Sequence, residues 1–230
     1  MIVELQPAYV LHTRPYRDTS MLVDLLTPQF GRITAVARGV RSRKTPKRNL
    51  LNPFTRLLVS FQGKSGLKLL THFETESFNL SLSGNFLYSG FYLNELLVRL
   101  LPELDPHEEV FLSYQQSLQS LHSQQELEPI LRAFELHLLT SLGYAIHFGA
   151  DAKSGLNIVE GNFYCLDVQQ GFYLADTNNQ NSFFSGEHLL AIDSQDFTQA
   201  EVRLTAKRIT RILLKPLLGN KPLMSRELFS

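Results

Sequence analysis

Apolar and polar positions along the chain change their period near residue 80. Before it, short apolar runs rich in Val, Leu, Ile and Phe are broken by turn residues. Ala8 to His12, Met21 to Thr27, Arg32 to Ala37, Thr55 to Phe61 and Leu67 to Phe73 read as strands. The turn signals between them are Arg14-Pro15, Pro28 to Gly31, Asn52-Pro53 and Gly63 to Gly66. Alternation is partial, as in Leu57, Val59 and Phe61 against Leu58 and Ser60. Several short strands with no room for a helix between them predict a small barrel, because closure hides edges that a flat sheet would expose.

After residue 80 the spacing becomes three and four. Phe86 to Leu101 reads as a strongly apolar helix stopped by Pro102. Glu108 to His122 puts Val110, Phe111, Tyr114, Leu118 and Leu121 on one face. A third helix carries Pro129 in its first turn and Gly143 as its cap, with Ile130, Leu131, Phe134, Leu138 and Leu142 on its stripe. Residues 144–185 are rich in Gly, Asn and Asp with short aromatic runs, a small β-rich excursion. A short helix follows over Gly186 to Ile192. Thr198 and Glu201 have capping-box spacing for a last helix running to about Leu214, before Pro216. The predicted fold class is α+β: a barrel over 1–80, then a helical domain over 81–230 with a β-rich insertion at about 144–185.

Composition narrows the class of protein. The chain has 230 residues, 43% of them hydrophobic and 19% charged, which suits a folded core and excludes a disordered chain or a collagen. The one cysteine, Cys165, excludes an intrachain disulfide and a cysteine zinc site, and within its aromatic run it reads as buried filler. The first residues lack the pattern of a signal peptide, and no apolar run is long enough for a membrane span.

The formal net charge of zero hides a strong asymmetry. Residues 1–80 hold 12 basic and 5 acidic residues, residues 81–200 hold 3 and 15, and residues 201–230 hold 7 and 2. The densest feature is Arg38 to Arg48, RGVRSRKTPKR, with six basic residues in eleven and no acid. Its Gly, Ser, Thr and Pro make it a loop. Such a loop is either a solvated turn or a set of mobile cations for phosphates, and its density beside a barrel favours nucleic acid. Arg14, Arg17, Arg32, Arg56, Lys64 and Lys68 extend the field. Among Tyr9, Tyr16, Phe30, Phe54, Phe61 and Phe73, most read as core, and Tyr16 as the exposed one. In the last helix Arg203, Lys207, Arg211 and Lys215 recur every four residues beside a seam of Val202, Ala206, Ile209 and Leu213. That stripe is either a solvated outer face or a second patch for phosphate or an acidic peptide.

Signals of catalysis are weak. The seven histidines form no HExxH, and RGVRSRKT lacks the Walker spacing. From the residues alone, a DNA-binding barrel, an RNA-binding barrel protein and a metal-dependent nuclease stay open, with no enzyme, metal or cofactor as the expectation.

Six stretches carry a resemblance: AYVLHTRPYRDTS at 8–20, GRITAVARGVRSRK at 31–44, PFTRLLVSF at 53–61, YSGFYLNELLVRLL at 88–101, RAFELHLLTSLGY at 132–144 and AKRITRILLKPLLGNKPLMSRELF at 206–229. In order and spacing they resemble the bacterial RecO family of DNA repair proteins, in its gamma-proteobacterial form without zinc-binding cysteines. The resemblance implies an oligonucleotide-binding (OB) barrel, a helical domain with a small β-rich insert, and a cytoplasmic protein associated with the nucleoid. It implies binding of single- and double-stranded DNA and strand annealing. It also implies action with RecR, the acidic C-terminal tail of single-strand binding protein, and RecA. Many members carry a further basic tail beyond the position of Ser230. On the basic motifs it implies DNA contacts by Arg14, Arg32, Arg38, Arg41, Arg43 and Lys44, and local charge adds Lys47, Arg48 and Arg56. Arg132, Arg203, Lys207, Arg208 and Arg211 are the expected partner-peptide or secondary basic patch.

Overall fold

The structure, a computed structural model, describes residues 2–42, 46–64, 66–76, 80–176 and 183–229. Five strands form a closed barrel: β1 (Ile2–Tyr16), β2 (Ser20–Thr27), β3 (Gly31–Ala37), β4 (Arg56–Gln62) and β5 (Lys68–Thr75). Their order around the wall is β1-β2-β3-β5-β4, with all pairs antiparallel except β3 with β5. This is an OB barrel.

β1 makes closure possible, and it is far longer than the run Ala8 to His12 suggests. Its first half pairs with β4 (Ile2 opposite Gln62) and its second half with β2 (Tyr16 opposite Ser20). Register shifts between Val3 and Gln6 and between Val10 and His12 bend it from one neighbour to the other. The same shifts blur the alternation, which is why periodicity alone finds only its centre. Arg14-Pro15 lies inside the strand and makes no turn. The chain reverses at residues 17–19, where Arg17 takes a positive φ of 50°.

The barrel interior is built from Val10, Val23, Leu25, Ile33, Ala35, Leu57, Val59 and Phe61, all fully buried, at about 1.5–3 kcal/mol for each large apolar side chain. Phe54 and Phe73 are also buried, and Tyr9 packs on Phe111 and Tyr114, so these aromatics are core as expected.

Two helices, α1 (Gly84–Leu100) and α2 (Glu108–His122), belong to the same compact unit as the barrel, together with residues 221–230. The change of period near residue 80 therefore does not coincide with the limit of this unit. The Asn94 amide donates to the Leu11 carbonyl at 2.7 Å, and the Tyr114 hydroxyl donates to Asn94. A buried polar chain thus ties both helices to β1 with its groups satisfied. Glu95 accepts from the Met224 and Ser225 amides and the Ser225 hydroxyl, and Arg99 donates to the Lys221 and Pro222 carbonyls. This pins the C-terminal turn Met224–Phe229 to α1.

The segment between α1 and α2 lies on the β2–β3 hairpin. Gly31, with φ +63°, is needed there, since a Cβ would stand 1.8 Å from the Asp105 carbonyl oxygen. The Leu104 amide donates to Arg32 O, and Thr34 Oγ1 lies 2.6 Å from Asp24 Oδ1 and 2.8 Å from Glu103 Oε1. One hydroxyl proton serves only one carboxylate at a time, and each carboxylate has a second neighbour. His12 Nδ1 is 3.6 Å from Asp24, and the Arg32 guanidinium is 3.2 Å from Glu103.

Residues 128–220 form the second unit. Nearly all of α3 (Leu127–Ser141) lies in it, and Gly143, at φ +84°, closes that helix as expected while the Tyr144 amide bonds back to Leu139 O. Leu131, Phe134, Leu138 and Leu139 are its buried apolar residues, and Ile130 and Leu142 are half-buried. The β-rich excursion is a three-stranded sheet of β6 (Phe163–Asp167), β7 (Gly171–Leu174) and β8 (Phe184–Ser185), ordered β7-β6-β8. Asp151 ties the preceding loop to β7: its carboxylate accepts from the Lys153 and Ser154 amides on one oxygen and from the Leu174 amide on the other. Cys165 is buried within β6.

Two helices complete the unit, α4 (Gly186–Asp193) and α5 (Ala200–Leu218). The capping box at Thr198 and Glu201 does not form. Asp196 takes both the amide and the hydroxyl of Thr198, the residue at the cap is Gln199, and no side chain caps the helix. α5 also runs past the expected stop, carrying Pro216 on the exposed side of its last turn. No helix of the described residues is long and apolar enough to cross a membrane.

Burial pushes the Asp24 carboxyl up, but the bonds from His12 and Thr34 and the charge of Arg14 outweigh it and hold it below its ordinary value. Stability from such a group is complete above the ordinary carboxylate range and is lost as pH falls through the lowered value. Asp24→Asn is expected to cost about 1–2 kcal/mol at neutral pH and to flatten the acid side of the stability profile, measured by urea denaturation across pH.

Candidate nucleic-acid interface

A hollow of about 790 Å³ opens at one end of the barrel. Its position follows from strand pairing. β3 and β5 share only three register pairs, Ala35 with Lys68, Val36 with Leu69 and Ala37 with Leu70. The parallel ladder is therefore short, and the loops beyond it frame an opening. Tyr16, Arg17 and Thr19 enter from the β1–β2 corner, Val36 and Arg38 from β3 and its end, and Gly63, Lys64 and Leu67 from the β4–β5 hairpin. Ile2 enters from the start of β1. Val36 and Leu69, register partners facing outward and half-buried, make the floor. Loops of this kind around a barrel of this topology are where OB folds take oligonucleotides. Lys68, nearly buried, lines both this hollow and a smaller adjoining one of about 390 Å³ with Phe30 and Leu104.

The cationic loop is tied to this opening at its first residues. The Arg41 amide donates to Thr19 O at 2.9 Å, and its guanidinium donates to Arg17 O at 3.1 Å. Arg17, Arg38 and Arg41, all exposed, are thereby gathered beside the β1–β2 corner, and the Arg17 guanidinium lies 5.2 Å from the centre of the half-buried Tyr16 ring. None of the described residues lining the hollow carries a carboxylate.

The other residues expected at a DNA surface divide clearly. Arg14 is exposed on β1. Lys47 and Arg48 are exposed on a 3₁₀ turn, Pro46–Leu51, with Lys47 Nζ 5.8 Å from the centre of the Phe73 ring, and neither lines the hollow. Arg43 and Lys44 lie outside the described residues. Arg32 and Arg56 are committed within the fold. Arg32 donates to Leu101 O at 3.0 Å and to Glu103 at 3.2 Å. Arg56 donates to Glu76 at 2.7 Å and to Gln115 at 2.8 Å. Burial pulls the Arg56 pKa down, but Glu76 and the Tyr9 hydroxyl outweigh it, so the charge is held more firmly than usual. Both read in sequence as surface cations because the acids that hold them are far along the chain or in another element. The opposite error concerns Arg17 and Lys64. They appear in sequence only as extensions of the field, yet they stand on the rim, because the two loops carrying them meet only after the barrel closes.

The second basic group also separates. Arg132 is buried, 4% exposed, in an ion pair of 2.9 Å with Glu135, and it lies 3.4 Å from Thr210. It is structural and presents nothing to a peptide. Lys207 is paired with Glu128 at 2.6 Å, and Arg203 donates to the Phe197 and Thr198 carbonyls. Arg208 and Arg211 are exposed, with Arg208 stacked 4.5 Å from the centre of the Phe184 ring. Leu204, 66% exposed, shares their face of α5. No group of three or more His, Cys, Asp or Glu residues able to hold a metal occurs among the described residues.

A closed β1-β2-β3-β5-β4 barrel followed by helices and a small sheet defines an OB-fold protein with a helical region. Family comparison then specifies which. The model described as Recombination protein O N terminal matches residues 1–78, and that described as Recombination protein O C terminal matches residues 83–227. The DNA repair protein RecO of Cellvibrio japonicus (strain Ueda107) is 58% identical, over 100% of this chain and 98% of that protein. That of Actinobacillus succinogenes is 44% identical over 100% and 96%, and that of Haemophilus influenzae (strain KW20 / Rd) 45% over 99% and 96%. The chain belongs to the RecO family, a family of DNA repair proteins in recombination and not of enzymes.

Removing one partner of a buried ion pair leaves the other uncompensated, at a cost of about 3–5 kcal/mol. Arg132→Ala is therefore expected to lower stability by that amount, while Arg211→Ala stays within about 0.5 kcal/mol of the parent. Chemical denaturation of the two variants measures both.

Proposed function

We propose that this chain binds single- and double-stranded DNA through the barrel end and promotes annealing of complementary strands during recombinational repair. The observation that carries the reading is the gathering of Arg17, Arg38 and Lys64 around one hollow that, among the described residues, no carboxylate lines, with Arg41 bonded to Arg17 beside it. Positive groups this close together neutralise phosphates of two strands at once and lower the repulsion that opposes pairing. Each neutralised phosphate also releases counterions. Arg14, Arg43, Lys44, Lys47 and Arg48 are the flanking contacts in this reading. Arg32 and Arg56 contribute by holding the barrel surface in shape.

The same reading has the chain act with RecR, single-strand binding protein and RecA, at the nucleoid. Support for an acidic, aromatic-ended tail as partner comes from α5, where exposed Leu204 shares a face with Arg208, Arg211 and Lys215. Carboxylates favour such cations, and an apolar end favours the exposed leucine. RNA is the second polyanion that the hollow would accept, and competition between matched DNA and RNA strands separates the two.

Replacing Arg17, Arg38, Arg41 and Lys64 together by Gln tests the phosphate site. The expected result is weaker binding of single-stranded DNA and a log–log salt slope shallower by about 0.7 for each phosphate no longer neutralised, with the fold intact. Unchanged affinity and slope would remove the barrel end as the site.

A further inference from the structure

We propose that residues 221–229 are a releasable latch, seated on α1 and hinged at Gly219, which fastens the far end of the second unit's chain. The chain leaves the first unit after Leu127 and returns to it at Lys221. Residues 128–220 are therefore an excursion from that unit with a joint at each end. The second joint holds for as long as the last turn stays on its seat.

Two faces of α1 hold their neighbours in different ways. Asn94 is buried, and its bonds to the Leu11 carbonyl and the Tyr114 hydroxyl are shut away from water. Tyr88, Glu95 and Arg99, seven and four residues apart, share another face. There Glu95 accepts from the Met224 and Ser225 amides at 3.0 and 2.9 Å and from the Ser225 hydroxyl at 2.6 Å. Arg99 donates to the Lys221 and Pro222 carbonyls at 2.7 and 3.0 Å, and Tyr88 meets the Phe229 ring edge-on. These bonds lie at the surface or half-buried. Leu223 is the buried apolar side chain of the segment, while Met224 and Phe229 stay 55% and 46% exposed. A segment with little buried apolar surface and solvent-reached hydrogen bonds opens at a lower free energy than the core beside it. Burial pushes the Glu95 carboxyl up, but the bonds from Ser225 and Met224 and the charge of Arg99 hold it below its ordinary value. The anion that the two amides need is thus present at neutral pH.

The hinge is visible in the backbone. Gly219 ends α5 at φ +63° and ψ −157°, a region essentially closed to other residues, and Asn220 after it is exposed. A Cβ at Gly219 would meet no atom within 4 Å, so this glycine serves backbone freedom and not close packing. Such a residue at the end of an element is where a hinge absorbs its change of angle. Release at this point leaves residues 128–220 fastened at one joint in place of two. It widens the range open to that excursion, with the exposed Arg208 and Arg211 of α5 in it, without unfolding either unit.

Hydrogen exchange and small-angle X-ray scattering of the whole chain test the latch. Glu95→Ala removes the clamp with a residue that suits a helix. Gly219→Ala leaves the clamp in place and strains the closed hinge. Each is expected to speed exchange at Met224 and Ser225 by about tenfold, the net worth of one hydrogen bond, while the barrel, α1 and α5 keep their parental rates. Each should also enlarge the radius of gyration. Parental exchange at both amides in both variants would overturn the latch. Faster exchange spread through α1 and the barrel would overturn it as well, since the turn would then be part of the core. Faster exchange at the turn with a parental scattering curve would remove its role as the second fastening.

Discussion

A parallel ladder of only three residue pairs, between the end of β3 and the start of β5, closes this barrel. Val36 and Leu69 are the middle pair of this ladder and line the hollow. Around them stand the corner at residues 17–19, the end of β3 at Arg38, and the β4–β5 hairpin. Closure itself depends on β1, whose register shifts let one strand serve two neighbours. Sheet topology, and no single motif, puts Arg17, Arg38 and Lys64 beside one another.

Carboxylates then decide which cations face solvent. Glu103, from the segment between α1 and α2, is paired with Arg32, and Glu76, just beyond β5, is paired with Arg56. In the second unit Glu128 and Glu135 are paired with Lys207 and Arg132. Charge counted along the sequence is therefore a poor guide to charge presented at the surface. The acidic middle of the chain does reach the barrel, through Glu103, but it meets the β2–β3 hairpin and leaves the barrel end, among the described residues, without a lining carboxylate. The zero net charge is compatible with a strongly positive patch for this reason.

Much of the fold was legible because its signals are local. α2 spans Glu108–His122 as its periodicity predicts, and β2 to β5 fall within a residue or two of their apolar runs. The misreadings of the elements arise where a local irregularity overrides the expected pattern. β1 was shortened by its own bulges, Arg14-Pro15 mimicked a turn, and Thr198 was diverted from its cap by Asp196 two residues earlier. The candidate site was legible in kind but not in detail. A run of basic residues announced a polyanion, yet Arg32, Arg56 and Arg132 look no different in sequence from Arg38 or Arg211. Only the partners brought by folding tell them apart.

Hydrogen exchange of the backbone amides, with and without bound single-stranded DNA, tests the central claim most directly. On this account DNA slows exchange most at the β1–β2 corner, at residues 38–42 and in the β4–β5 hairpin, and less in the flanking 3₁₀ turn at Pro46–Leu51. Protection confined to that turn or to α5, with the barrel end unaffected, would contradict it.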